Sequence, residues 1–178
     1  YCKYAYKYAS EITYGLACFA EIRNKKTLKI MSVGCGPCTE LAAVDYLKEK
    51  GVLNYEKLQY RGIDPLGNAW RRIWNDIKEY FGNGINFYQK DILELVDIIT
   101  RHSWISDVLI FQYVFSDMYK NSSTIEINQF IDKLATFLNA CGEKPIYILC
   151  NDINLSKSYN GGREFFDVLE SKISNPKI

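Results

Sequence analysis

The 178-residue chain has little of what builds a metal centre: one histidine, His102, and a single Cys-x-x-Cys pair. A structural zinc site takes about four nitrogen or sulfur ligands, usually at paired spacings. No metal is therefore expected. No apolar run approaches the roughly 20 residues of a membrane span, so no membrane role is expected either. The first residues lack the basic-then-apolar order of an export signal. Without export, six cysteines fit a reducing cytoplasm. Cys18, Cys141 and Cys150 lie in apolar stretches and read as buried small hydrophobes. Excess charge is also missing: the net value is +1, which does not indicate a general polyanion-binding surface. Arg23, Lys25 and Lys26, and the pair Arg71-Arg72, read as solvated faces. There is no linker, repeat or low-complexity segment.

What is present is apolar periodicity. Residues 1–23 read as a helix, with Tyr4, Tyr8, Ile12 and Leu16 on one face. Leu28 to Val33 reads as a strand, and Pro37 to Lys50 as a helix stopped at Gly51. Leu58 to Ile63 is a second strand. Ala69 to Phe81 is an amphipathic helix carried by Trp70, Ile73, Trp74, Ile77, Tyr80 and Phe81. A third strand is expected at Ile85 to Gln89, a short helix at Ile92 to Ile99, and a fourth strand at Val108 to Val114. A helix at Ile127 to Ala140, a strand at Ile146 to Asn151 and a helix at 163–171 complete the pattern. Strands alternating with helices imply an α/β fold, a doubly wound and mainly parallel sheet covered on both faces. The chain reads as one domain: a helical extension (1–24), a core (28–155), and a C-terminal helix and tail (156–178).

Ligands of such sheets bind beyond the carboxyl ends of the strands. After the first strand come Gly34-Cys35-Gly36-Pro37-Cys38. Gly34 suits a tight turn and Gly36 a close approach of backbone to ligand. The same residues spell Cys35-Gly-Pro-Cys38, a redox dithiol spacing at the start of a helix, where a thiol pKa can fall. After the second strand come Asp64 and Pro65; an acid here can accept from a ribose diol, or cap the next helix. After the third come Asp91 and Ile92, suited to an adenine amine and ring, or again to a cap. After the fourth come Phe111, Gln112, Tyr113 and, further on, Asp117.

Taken in this order, residues 28–155 resemble a class I S-adenosylmethionine-dependent methyltransferase. Val33 to Thr39 is similar to that family's first motif, Gly62-Ile63-Asp64 to its second, and Gln89-Lys90-Asp91-Ile92 to its adenine-binding segment. Asp107 to Phe111 and Pro145 to Ile148 resemble its fourth and fifth strands. The resemblance implies S-adenosylmethionine as cofactor, held by Gly34, Cys35, Gly36, Asp64, Pro65, Asp91, Ile92, Phe111 and Gln112. It implies a methyl acceptor, either a small molecule or an RNA or protein, facing Tyr113 and Asp117. No catalytic base is assigned. Three departures stand out: Cys38 replaces the third glycine, Ser32 replaces an acid before the motif, and residues 156–178 leave no room for the usual last two antiparallel strands. The Asn/Asp-Pro-Pro-aromatic signature of many amino-methylating enzymes is absent, with Phe111-Gln112-Tyr113-Val114 in its place. Two other readings stay open at this point: a non-catalytic binding module on the same scaffold, and a thioredoxin-like oxidoreductase using Cys35 and Cys38.

Overall fold

Leu28, Ile30, Met31 and Val33 are all withdrawn from solvent, which requires β1 (Thr27–Val33) to be covered on both faces. It is the middle strand of five. In the computed structural model the order is β3 (Ile85–Tyr88), β2 (Lys57–Ile63), β1, β4 (Val108–Gln112), β5 (Tyr147–Asn151), and every pairing is parallel. The structure describes residues 2–101, 104–142, 144–153, 155–159 and 161–174. His102 and the last four residues of the expected tail lie outside these.

Alternate side chains of each strand feed two separate cores. Leu28, Ile30, Tyr60, Val108 and Ile110 meet α1 (Cys2–Cys18), α2 (Thr39–Glu49) and α3 (Gly67–Phe81). Met31, Val33, Ile63, Leu109 and Phe111 meet α4 (Leu95–Arg101), α5 (Phe115–Asn121), α6 (Thr124–Ala140) and α7 (Arg163–Lys172). The chain steps outward from β1 to β3, then crosses to the far side of β1 to lay down β4 and β5. With right-handed crossovers that reversal must put α2 and α3 on one face and α4 and α6 on the other. The doubly wound sheet is as the sequence predicts. α1 is seated on it through Ile12 and Leu16, both wholly buried. Among the described residues no helix is long and apolar enough to cross a membrane.

Several boundaries differ from the expected ones, each for a local reason. The first helix ends at Cys18, and a short 3-10 turn at Ala20–Ile22 follows. α2 starts at Thr39 instead of Pro37, because Cys38 sits in the left-handed region at φ 60° and its N–H closes a turn onto the Cys35 carbonyl at 2.7 Å. β4 stops at Gln112: Tyr113 takes φ 59° and Val114 is already helical. The Asp152 carboxylate accepts from the Phe115 and Ser116 amides at 2.7 and 3.1 Å. It thereby satisfies donors that open α5, a helix the periodicity did not show. Ile92–Glu94 is a 3-10 turn ahead of α4. Cys18, expected inside, is exposed, while Cys141 and Cys150 are half-buried.

Candidate functional site

The strand order reverses between β1 and β4, the place where open sheets of this kind leave a crevice. The β1 side is the turn from Gly34 to Cys38. Gly34 has φ +65°, and a Cβ there would stand 2.6 Å from Val114 Cγ2, so only glycine fits. Gly36 has φ +46°, and its peptide is held at both ends. Its N–H donates to Asp64 Oδ2 at 2.9 Å, and its carbonyl accepts from Trp74 Nε1 at 2.8 Å.

Asp64 lies at the end of β2 and is 7% exposed. Its Oδ1 accepts from the Leu66 amide at 2.8 Å, and its own N–H donates to the Tyr88 carbonyl at 3.1 Å. Through its carboxylate and its own N–H, Asp64 thus joins the turn after β1 to the ends of β2 and β3. Each oxygen has accepted one backbone hydrogen and keeps a second acceptor position. Pro65 beside it is exposed.

Trp70 was not singled out in the sequence beyond its place on an apolar helix face. Its ring lies against the turn: a Cβ on Gly36 would be 3.8 Å from the indole carbons and 3.9 Å from Nε1. That Nε1 is buried and has no hydrogen-bond partner among the described residues. Buried indole N–H groups normally find an acceptor. An orphaned donor beside a glycine turn and an acid is where a polar ligand group fits.

The β4 side is covered by the first helix. Gln112 accepts from Thr39 Oγ1 and donates to the Tyr8 carbonyl, both at 3.1 Å. The Tyr113 hydroxyl donates to Glu11 Oε2 at 3.2 Å, and Asn151 Nδ2 donates to the same oxygen at 2.6 Å. The Tyr8 and Tyr113 rings lie 4.7 Å apart, and Lys7 Nζ is 5.9 Å from the Tyr113 ring centre. Burial, then the Glu11 charge, pushes the Tyr113 phenol up, so it remains a hydrogen-bond donor at neutral pH. Glu11, Tyr8 and Asn151 carry no local signal of this role in the sequence.

The other expected residues are placed differently. Phe111 is fully buried, its ring 4.8 Å from Phe115 in the core, so only its backbone can face the crevice. Cys35 likewise turns its side chain inward beneath the turn. Asp91 is exposed and accepts from the Leu93 amide at 2.9 Å as the cap of the 3-10 turn; Ile92 packs on the apolar core. Asp117 is exposed on α5 and accepts from Asn121 Nδ2 at 3.0 Å. The structure gathers Gly34, Gly36 and Asp64 together, and joins Gln112 and Tyr113 through α1.

Burial pushes both thiols of the Cys-x-x-Cys pair up, Cys35 well above its ordinary range. A redox nucleophile needs the opposite shift, so burial does not favour the dithiol reading. Below the turn, Glu40 is 1% exposed; it accepts from the Tyr60 hydroxyl and is hydrogen-bonded to Ser32. Loss of hydration raises its pKa, and no feature of the sequence marked it as a buried acid.

No family model matches the chain, and no curated protein matches it. Among solved structures it is similar to the bifunctional kinase-methyltransferase WbdD, at 16% identity and TM-score 0.45, over 77% of this chain and 27% of that one. It is similar to the CurJ carbon methyltransferase at 11% identity and TM-score 0.43, over 85% and 34%. A third likeness is to a cyclopropane-fatty-acyl-phospholipid synthase-like protein from Lactobacillus casei ATCC 334, at 14% identity and TM-score 0.33, over 82% and 64%. The chain thus spans about a quarter to two thirds of the length of these proteins. Its own five-stranded parallel sheet, in the order β3-β2-β1-β4-β5, is a Rossmann-like α/β fold whose strand order reverses between β1 and β4.

Proposed function

We propose that the chain is an S-adenosylmethionine-dependent methyltransferase domain. The observation that carries this reading is the turn at the switch point: Gly36 is bonded to Asp64, and the unpartnered Trp70 indole N–H stands beside it. Gly34 and Gly36 let the cofactor approach the backbone. Asp64 would accept from the ribose hydroxyls with its remaining lone pairs, and Trp70 Nε1 would donate to an acceptor nearby. Asp91 and Ile92 would meet the adenine end, and Gln112 the methionine end. When bound, S-adenosylmethionine supplies a methyl group already activated for in-line displacement.

The residues therefore have chiefly to position the reactants. Tyr113, held by Glu11, would hydrogen-bond the acceptor. Glu11, which accepts from the Tyr113 hydroxyl, would be a carboxylate able to take a proton through it, if the acceptor must lose one. The acceptor is read as a small molecule, admitted when the Tyr8–Tyr113 contact opens, in a cytoplasmic setting.

Calorimetry with S-adenosylmethionine tests the reading. One-to-one binding is expected, weakened about tenfold or more in D64A by loss of charge-assisted hydrogen bonds. W70F should weaken binding several-fold, by roughly 1 kcal/mol, with its unfolding midpoint little changed. Absence of binding to the wild-type protein would overturn the proposal in favour of a non-catalytic module.

A further inference from the structure

A polar cavity of about 170 Å³ lies on the sheet face opposite α2 and α3, away from the turn at the carboxyl end of β1. Lys57, Gln59 and Arg61 are alternate residues of β2 and share that face with Asn86, the register partner of Arg61 on edge strand β3. Asn83 lines it from the turn before β3, and Trp104 from the segment before β4.

Three features of this cavity point to one chemistry. The Arg61 guanidinium stacks on the Trp104 ring, with Cζ 4.4 Å from its centre, and Nη1 is buried with no hydrogen-bond partner among the described residues. Trp104 Nε1 donates to Gln59 Oε1 at 3.4 Å, which turns the Gln59 amide so that its remaining group is a donor. Among the described residues no carboxylate lines the cavity, and neither Lys57 nor Arg61 is in an ion pair. A half-buried cation left without a counter-charge is unfavourable unless an anion completes it.

We propose that this cavity binds a single oxyanion of the phosphate type. The planar guanidinium, fixed on the indole, offers its free edge for two parallel hydrogen bonds. Lys57 adds a second charge at the exposed rim, and the amides of Gln59 and Asn86 supply further donors. A volume of about 170 Å³ holds one phosphate group. The phosphate could be a free ion or the end of a larger molecule entering from the open rim. The site is independent of the cofactor reading, since Arg61 stands three residues before Asp64, about 10 Å back along the strand.

Titration calorimetry on the full chain with inorganic phosphate, at constant ionic strength set by chloride, tests this. The wild-type protein should bind saturably. R61M, which keeps the aliphatic stem on Trp104, should bind at least tenfold more weakly and K57A about threefold more weakly. R61M should also hold or raise the unfolding midpoint in phosphate-free buffer, whereas a purely structural arginine would lower it. Tighter binding of phenyl phosphate than of inorganic phosphate would support the phosphate of a larger ligand, and equal or weaker binding the free ion. The proposal falls if the wild type shows no saturable binding up to about 10 mM phosphate, or if R61M binds within twofold of it. Should R61M not fold, unchanged affinity in K57A overturns it.

Discussion

Glu40 and the two buried thiols show how far a side chain's chemistry depends on what lies over it. Burial raises Glu40 above its ordinary value of 4.5, so the folded state holds this proton more tightly than the unfolded chain. As pH rises above 4.5 toward the raised value, this group therefore subtracts stability. In E40Q the slope disappears, and the stability of E40Q relative to wild type should grow across that window. Urea denaturation at a series of pH values measures it, and a flat difference would contradict the assignment. The thiols follow the same logic. Cys18 is exposed, while Cys35 and Cys38 are buried with raised pKa. Iodoacetamide at mildly alkaline pH should label Cys18 first, and Cys35 and Cys38 only on unfolding, as read by mass spectrometry. The Gly34 and Gly36 turn was legible in the sequence because backbone freedom is a property of the residue itself. The roles of Trp70 and Glu40 were not, since each depends on partners from other strands and helices.

At the scale of elements, the periodic helices and apolar strands were legible because each carries its own repeat. Their ends depended on caps of two kinds. α6 begins at Thr124 behind a capping box, in which Ser123 and Glu126 each bond the other's backbone N–H. That signal is local, a serine followed three residues later by a glutamate, and could have been read. α5 is capped by Asp152, which lies 37 residues away from Phe115 and on the far side of β5. No local pattern announces it. D152A leaves two amides at the start of a buried segment without their acceptor. It should destabilise the protein by about 2 kcal/mol, whereas S123A at an exposed cap should cost about 1 kcal/mol. Urea unfolding of both variants orders them, and an S123A effect larger than that of D152A would refute the argument.

Across the whole molecule the two ends of the sheet are built for different tasks. At the amino end, Asp107 accepts from the Lys29 amide at 2.8 Å and sits 3.2 and 3.3 Å from Lys25 and Lys144. Its own backbone bonds Lys29 and Tyr147, so it ties β1, β4 and β5. At the carboxyl end the Gly34–Cys38 turn is instead tied to Asp64 through the Gly36 amide. D107A should therefore lower stability by roughly 3 kcal/mol, through the buried amide and the two ammonium groups left behind. It should leave S-adenosylmethionine affinity within about twofold, since it stands at the opposite end of the strands. Thermal unfolding paired with calorimetry separates the two effects, and a parallel loss of affinity would count against this division.

The sequence by itself determined the alternation of strands and helices, the parallel α/β class and the glycine turn, because periodicity and backbone freedom are carried by neighbours in the chain. Only the tertiary structure decided that the turn is pinned by Asp64 and Trp74, that the first helix covers Tyr113 through Glu11, and that Arg61 meets Trp104 at a polar cavity. Those contacts join residues 28 to 102 positions apart. Hydrogen bonds and charges act over ångströms in space, and a parallel sheet brings such distant residues together only when the whole chain has folded.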